Sequence, residues 1–220
     1  MAGLIGVNAE QMELVDALQK GKWELEDWKP RPVVRLTNRI PVAMKGEEGV
    51  VIRGARWGFP VGPSRPVGNA RDDRLLASPM WSKLLVSGRC LVAATGIFEM
   101  VKAPEKKYFW FRRADQKLLV MPGLFGVREA DGEKRLCAAI VTTAPNRFFA
   151  QFHDRQVGSL EPEEAAAWLG GNDPAQAARL IHAPADDAWE AVPVSQRVFA
   201  HDRRDVEGVP VVGEPVRWKA

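Results

Sequence analysis

Residues 118–127, LLVMPGLFGV, and residues 136–143, LCAAIVTT, are two apolar runs of strand length on either side of Ala130-Asp131-Gly132-Glu133. An Asp-Gly pair between such runs favours a tight turn, so the spacing predicts a β-hairpin. Two further strand candidates precede it, Arg89 to Ala94 and Tyr108 to Arg112, and together they predict a β-meander in the middle of the chain. Upstream, Ser78-Pro79 has the form of an N-cap followed by proline in the first turn, and Gly88 ends the helix it opens. Downstream, Glu161-Pro162 opens an alanine-rich helix that stops at Gly170-Gly171, and Asp173-Pro174 opens another reaching about Ile181. Near the N-terminus, Asn8 and Gln11 have capping-box spacing, with Met12, Val15 and Leu18 at helical period over about 9 to 20. Residues 33 to 44 and 49 to 57 read as strands joined by a turn at Lys45 to Glu48, and Asp72 to Leu76 as a short helical turn. Strands and helices do not alternate strictly. That argues against a doubly wound parallel sheet and for an α+β fold built on antiparallel strands.

A chain of 220 residues, 46% hydrophobic and 27% charged, is long enough to bury a core and reads as one globular domain over 1–220. No run approaches the roughly 20 apolar residues of a membrane-spanning helix, and the N-terminus lacks the basic-then-apolar signature of a secretory signal, so a cytoplasmic protein is expected. Cys90 and Cys137 stand far apart without a CxxC or histidine-rich partner, which suggests neither a disulfide framework nor a zinc site and predicts two buried thiols. Nothing calls for a metal or other cofactor. A net charge of +3 confines any nucleic-acid surface to a local patch. Eight tryptophans accompany a single tyrosine; most belong in the core, and an exposed indole would stack on an unpaired base.

Four segments put polar residues beside small, turn-forming ones: Gly68-Asn69-Ala70-Arg71, Thr95-Gly96-Ile97-Phe98-Glu99, Thr142-Thr143-Ala144-Pro145-Asn146 and His153-Asp154-Arg155. Glu99 follows Ile97-Phe98 on a strand leaving the core, where partial desolvation would tune a carboxylate for acid/base work; a surface glutamate on a strand edge fits equally well. His153 lies between the aromatic run Phe148, Phe149, Phe152 and the charged pair Asp154-Arg155, where an imidazole serves as donor or proton carrier or is held structurally. Asn69, taken alone, reads as the cap of a turn. His182 and His201 sit in polar surroundings and read as surface residues.

In order and together, these segments resemble the SOS-response-associated peptidase (SRAP) family of abasic-site processing proteins. The matching segments here are Arg56-Trp57-Gly58, Asn69-Ala70-Arg71, Arg89-Cys90-Leu91, Gly96-Ile97-Phe98-Glu99-Met100, Thr142-Thr143 with Asn146, His153-Asp154-Arg155 and Val192-Pro193-Val194-Ser195. The resemblance covers nearly the whole chain. It implies an antiparallel, barrel-like β core with flanking helices, acting as a monomer on single-stranded DNA that contains abasic sites, and nucleoid-associated when bound. It further implies that an N-terminal cysteine condenses with the sugar aldehyde through its α-amine and closes a thiazolidine through its thiol. By similarity, Glu99 moves protons, His153 assists at the sugar oxygen, Asn69 positions the N-terminal residue, Arg71 and Arg155 hold phosphates, and Trp57 packs on a base or deoxyribose.

The chain departs from that pattern where it matters most, because Ala2 stands at the nucleophile position. A methyl group cannot close the ring, so binding is expected to remain and stable cross-linking to be lost. An otherwise intact pattern fits a deliberate change at this position better than long-standing decay. Leu4 replaces the family's arginine, Met100 its tryptophan, and Gln156-Val157 its Met-Pro. Two other readings stay open: a non-catalytic single-stranded DNA-binding module, and an autoproteolytic peptidase.

Overall fold

Long strands with apolar residues on both faces need cover on both sides, and this chain supplies it by folding into a barrel with a second sheet against it. The computed structural model describes residues 3–62, 66–101, 105–130, 132–200 and 208–219. Its first half runs β1 (Leu4–Val7), α1 (Gln11–Ala17), β2 (Lys22–Trp23), β3 (Arg31–Arg35), β4 (Arg39–Lys45), β5 (Val50–Trp57), β6 (Asn69–Arg71) and α2 (Pro79–Ser87). Then come β7 (Arg89–Ala94), β8 (Gly96–Val101), β9 (Lys107–Arg113), β10 (Leu119–Ala130) and β11 (Glu133–Thr143). The chain ends with β12 (Gln156–Val157), α3 (Pro162–Gly170), α4 (Pro174–Arg179), β13 (Trp189–Pro193) and β14 (Val216–Arg217).

Strands β11, β10, β7, β4 and β5 form a closed five-stranded barrel. Four of its seams are antiparallel. The closing seam is parallel, pairing Arg56 with Cys137 and Trp57 with Ala138, and β6 continues it beside Ile140, Val141 and Thr142. The second sheet has the order β14-β13-β9-β8-β1-β3. The expected α+β class and barrel-like core are thus present.

The expected meander is not. A hairpin does join β10 to β11, with Ala130 opposite Glu133, and the expected Asp131 of its turn lies outside the described residues, but β10 pairs directly with β7, Leu119 opposite Ala94. The β8–β9 hairpin between them belongs to the second sheet. Gly96 is where the chain leaves the barrel: a Cβ there would lie 2.3 Å from Trp110 Nε1 and 2.4 Å from the Phe111 carbonyl, so only glycine permits the crossing.

The run from 33 to 44 likewise divides. Thr37 takes φ +77°, a left-handed conformation costly for a β-branched residue, and the turn sends β3 into the second sheet and β4 into the barrel. Local hydrogen bonds hold it, with Arg35 N–H donating to Asn38 Oδ1 and Thr37 N–H to the Trp57 carbonyl.

Helix ends follow their local chemistry. Ser78 Oγ accepts the Trp81 N–H at the start of α2. Helix α1 opens at Glu10, whose N–H donates to Glu13 Oε2 at 2.8 Å, rather than at Asn8; the Asn8 N–H is spent on Thr95 Oγ1 at the end of β1. Arg89 is 8% exposed, and its guanidinium donates to the carbonyls of Leu85, Trp168 and Gly171, binding the C-terminal ends of α2 and α3 to the barrel. Cys90 and Cys137 are buried and form no disulfide, and burial pushes the Cys90 thiol well up, leaving it inert as a nucleophile. Among the described residues no helix is long and apolar enough to cross a membrane.

His182 is not a bare surface residue. Its Nε2 lies 2.8 Å from Glu164 Oε2, linking the segment after α4 to α3. Burial pulls the imidazole down, but the Ala183 carbonyl and Glu164 outweigh it and raise the pKa, while that of Glu164 is lowered, burial being outweighed there by the Glu161 N–H and His182. The histidine contribution is complete below the ordinary imidazole value and fades as pH climbs through the raised one. The carboxylate contribution is complete above the ordinary glutamate value and fades as pH falls through the lowered one. His182→Gln is therefore expected to destabilise the protein most between about pH 4.5 and 6.5 and least once the pH has passed the raised histidine value. Urea midpoints of parent and variant across that range test it; a gap independent of pH contradicts it.

Candidate active site

Strand β1 lies in the middle of the second sheet, with Ile5 opposite Ile97 and Gly6 opposite Gly96 on β8. Carried two residues back, this antiparallel register sets Gly3 opposite Glu99. Gly3 is held there from the other side, its carbonyl accepting the Leu36 N–H at 3.1 Å. The chain start thus leads to a glutamate that is 2% exposed. Ala2 itself lies outside the described residues, as does His201.

Glu99 is buried because its side chain continues the core-facing row of β8. Ile97 pairs with Phe111 and Glu99 with Phe109, and directly opposed residues share a face. That face packs on the aromatic run read from the sequence. The Phe109 and Phe152 rings are 5.1 Å apart, Phe111 and Phe149 4.4 Å, and Phe111 and Phe152 5.1 Å. His153 follows Phe152 directly, its N–H donating to the Phe149 carbonyl. The aromatic layer therefore links the strand that carries Glu99 to the segment that carries His153.

Burial lowers the pKa of His153, against the opposing pull of Asp154 2.7 Å from Nδ1. The same Nδ1 lies 3.1 Å from the Arg155 backbone nitrogen, so the ring is held between the Asp154 carboxylate and the following backbone.

Asn69 and Arg71 arrive on β6, beside β11. A carboxylate that sequence reading did not single out joins this segment to the others. Asp72 Oδ2 accepts the Thr143 hydroxyl at 2.6 Å, and Oδ1 accepts Arg155 Nη2–H at 2.7 Å and the Asp73 N–H at 2.8 Å. Arg155 Nη2 also donates to the Thr142 carbonyl. Three of the four polar segments therefore meet at Asp72. The signal was its place after Asn-Ala-Arg, but its partners lie 71 and 83 residues away, beyond any local pattern.

Two expected contacts are corrected. Trp57 is 1% exposed, its Nε1–H donating to the Gly68 carbonyl, so it anchors the loop before Asn69 from below and has no face for a base. Arg155 has a side chain only 16% exposed and meets Asp72, so its charge binds two site segments together rather than facing a phosphate. Arg71 does face outward, 55% exposed and bidentate to Asp73 at 2.6 and 2.9 Å.

A sequence model for the SOS response associated peptidase (SRAP) family matches residues 1–201. The chain belongs to the SRAP family. Among curated relatives it is similar to abasic site processing protein YedK of Escherichia coli (strain K12), 27% identical over 183 residues that cover 78% of this chain and 82% of that one. It is also similar to abasic site processing protein YoqW of Bacillus subtilis (strain 168), 29% identical over 154 residues, 65% and 69% of the two chains. A solved protein from Bacteroides thetaiotaomicron shares the fold at TM-score 0.74 and 19% identity, covering 88% of this chain and 92% of that one. One from Bordetella bronchiseptica does so at 0.74 and 17%, covering 88% and 99%.

Against the SRAP pattern, Leu4 is explained by its surroundings. It is 6% exposed and packs with Phe98, Val194 and Val198 in a satellite apolar cluster, where an arginine would be buried without an evident partner. That cluster is also the work of the Val192 to Ser195 segment, which lies on β13 and the turn after it. Met100 is half-buried on β8.

Proposed function

We propose that this chain recognises abasic sites in single-stranded DNA, and that Ala2 leaves it able to form at most a reversible imine and no stable cross-link. The observation that supports the reading is the register of β1 on β8, which carried back sets Gly3, the first described residue, opposite buried Glu99. An α-amine delivered there attacks the open-chain sugar aldehyde. Glu99 takes and returns the protons as the carbinolamine forms and loses water, and His153 assists at the sugar oxygen. Asn69 fixes the N-terminal residue, and outward-facing Arg71 exchanges Asp73 for a phosphate. The chain acts as one domain and as a monomer inside the cell, associated with the nucleoid only while it holds a damaged strand. The names of its relatives support the ligand, and family membership supports the chemistry.

Borohydride reduction tests this directly, because it converts a transient imine into a permanent amine. With removal of Met1 confirmed by intact mass, the parent chain is expected to be trapped on abasic single-stranded DNA and not on an intact strand. Glu99→Gln is expected to slow trapping by about 10²-fold, the low end of general acid–base contributions. Abasic-specific binding with no trapped product favours the non-catalytic binding module; no preference for the abasic strand overturns the reading.

A further inference from the structure

Residues 208–219 lie beyond the 1–201 matched by the family model, yet they line the edge of β13 along its length. Ser195 N–H donates to the Pro210 carbonyl and Val212 N–H to that of Pro193, and Val216 and Arg217 of β14 stand opposite Ala191 and Glu190. Glu190 is fully buried, and its carboxylate takes Arg217 from this tail at 2.7 Å and Arg112 from β9 at 2.8 Å. Stripping a buried charge of a partner is costly, so Glu190 fastens the tail.

Each end of the tail touches one half of the site. Val209 packs on the satellite cluster of Leu4, Phe98, Val194 and Val198, and Leu4 and Phe98 are the chain neighbours of Gly3 and Glu99. At the other end Trp218 packs on the main core, and the Arg147 guanidinium lies 5.1 Å over its ring, within cation–π range. Arg147 Nε–H also donates to Asp186 Oδ2 at 2.6 Å. Its neighbour Asn146 accepts the Phe149 N–H at 2.7 Å and donates to the Pro184 and Ala185 carbonyls at 2.8 and 3.1 Å. From there backbone bonds, Ala150 N–H to the Asn146 carbonyl and His153 N–H to that of Phe149, carry the anchorage to His153. Phe149 is buried against Phe111 and Trp189, so the turn has a packed pivot.

We propose that Val209–Trp218 is a strap that holds the two halves of the site in register, with Trp218 the positioning residue that sets His153 through Arg147 and the 146–153 turn. The proposal rests on the reading above for the reaction. Trp218 acts by fixing the root of the turn, so its loss is expected in the rate of the chemical step and not in capture of the strand.

The test keeps the full chain and compares borohydride trapping at saturating abasic strand. Trp218→Ala is expected to trap about tenfold more slowly, within the roughly 10²-fold that a misplacement of about 1 Å costs, with the half-saturating strand concentration unchanged within about twofold. Trp218→Phe, which returns an aromatic face to Arg147, should recover most of the rate, and Val212→Ala, exposed on the same segment, should change nothing. Proton NMR titration of the three histidines gives a second readout without DNA. Burial is the largest effect on His153 and lowers it, so in Trp218→Ala its ring is expected to titrate higher, toward the ordinary imidazole value, while His182 stays with Glu164. Arg147→Met, which leaves Trp218 in the core and removes the charge over its ring, should reproduce both changes. A folded Trp218→Ala that traps at the parent's rate, or whose His153 titrates as in the parent, overturns the proposal; if that variant does not fold, Arg147→Met decides on the same terms. If the parent itself traps nothing, the functional reading fails and the titration alone decides: a His153 shift in Trp218→Ala and not in Val212→Ala upholds the strap, and its absence overturns it.

Discussion

Ala2→Cys is expected to give a DNA adduct that survives boiling in denaturant, where the parent gives none without borohydride. Both chains present an α-amine to the aldehyde, and both form an imine with loss of water. Only the cysteine variant offers a thiol two atoms from the amine nitrogen. Its sulfur adds to the imine carbon, its proton passes to the nitrogen, and a five-membered thiazolidine closes. The structure leaves no other group to do this, since Cys90 and Cys137 are buried and the Cys90 thiol is held protonated by its surroundings. The effect is therefore all or none in a denaturing gel with abasic single-stranded DNA. No adduct from Ala2→Cys, once its N-terminal cysteine is confirmed by mass, means that the start of β1 does not deliver the reactive amine.

Asp72→Ala is expected to have the largest effect on stability, about 2–4 kcal/mol, because it strands a mostly buried guanidinium and a buried hydroxyl at once. The Arg155 side chain is 16% exposed and that of Asp72 24%, so solvent repays only part of the loss. Thr143, 6% exposed, loses its acceptor at the same time. Asp72→Asn keeps one oxygen and should cost roughly half as much. Asp72→Ala combined with Arg155→Met should recover part of the deficit, since the pair is removed rather than broken. Urea denaturation decides the matter: a single-variant loss below about 0.5 kcal/mol would show that Asp72 does not hold the three segments together.

Much of the fold was legible where the chain's own neighbours decide the structure. The Ser78-Pro79 cap, the Gly170-Gly171 stop and the hairpin that joins β10 to β11 are local devices, and each lies where the residues say. What the sequence concealed was partnership. Nothing in Arg89 to Ala94 or Tyr108 to Arg112 says that the first pairs across the barrel with β10 and the second turns its back on it. That choice belongs to Gly96, whose role appears only when Trp110 and Phe111 are seen against it. The site behaves likewise. Glu99, His153 and Asn69 were singled out as a set through resemblance, and the burial of Glu99 through its apolar neighbours. Asp72 was not, because a hub is defined by its spokes and these come from far along the chain. Trp57 misled because a tryptophan in a polar motif reads equally well as a platform or as a foundation.

The parallel seam between β5 and β11 joins residues about eighty positions apart, and β6 can lie beside Ile140 only once that seam exists. Such long-range pairings are late and slow to form. A nascent or partly unfolded chain already has its N-terminal amine, but it has no Asn69 in position and no bridge from Asp72 to Arg155. On the function proposed above, assistance from Glu99, Asn69 and His153 is thereby deferred until folding is complete, and before then the amine is no more reactive toward an aldehyde than that of any unfolded chain.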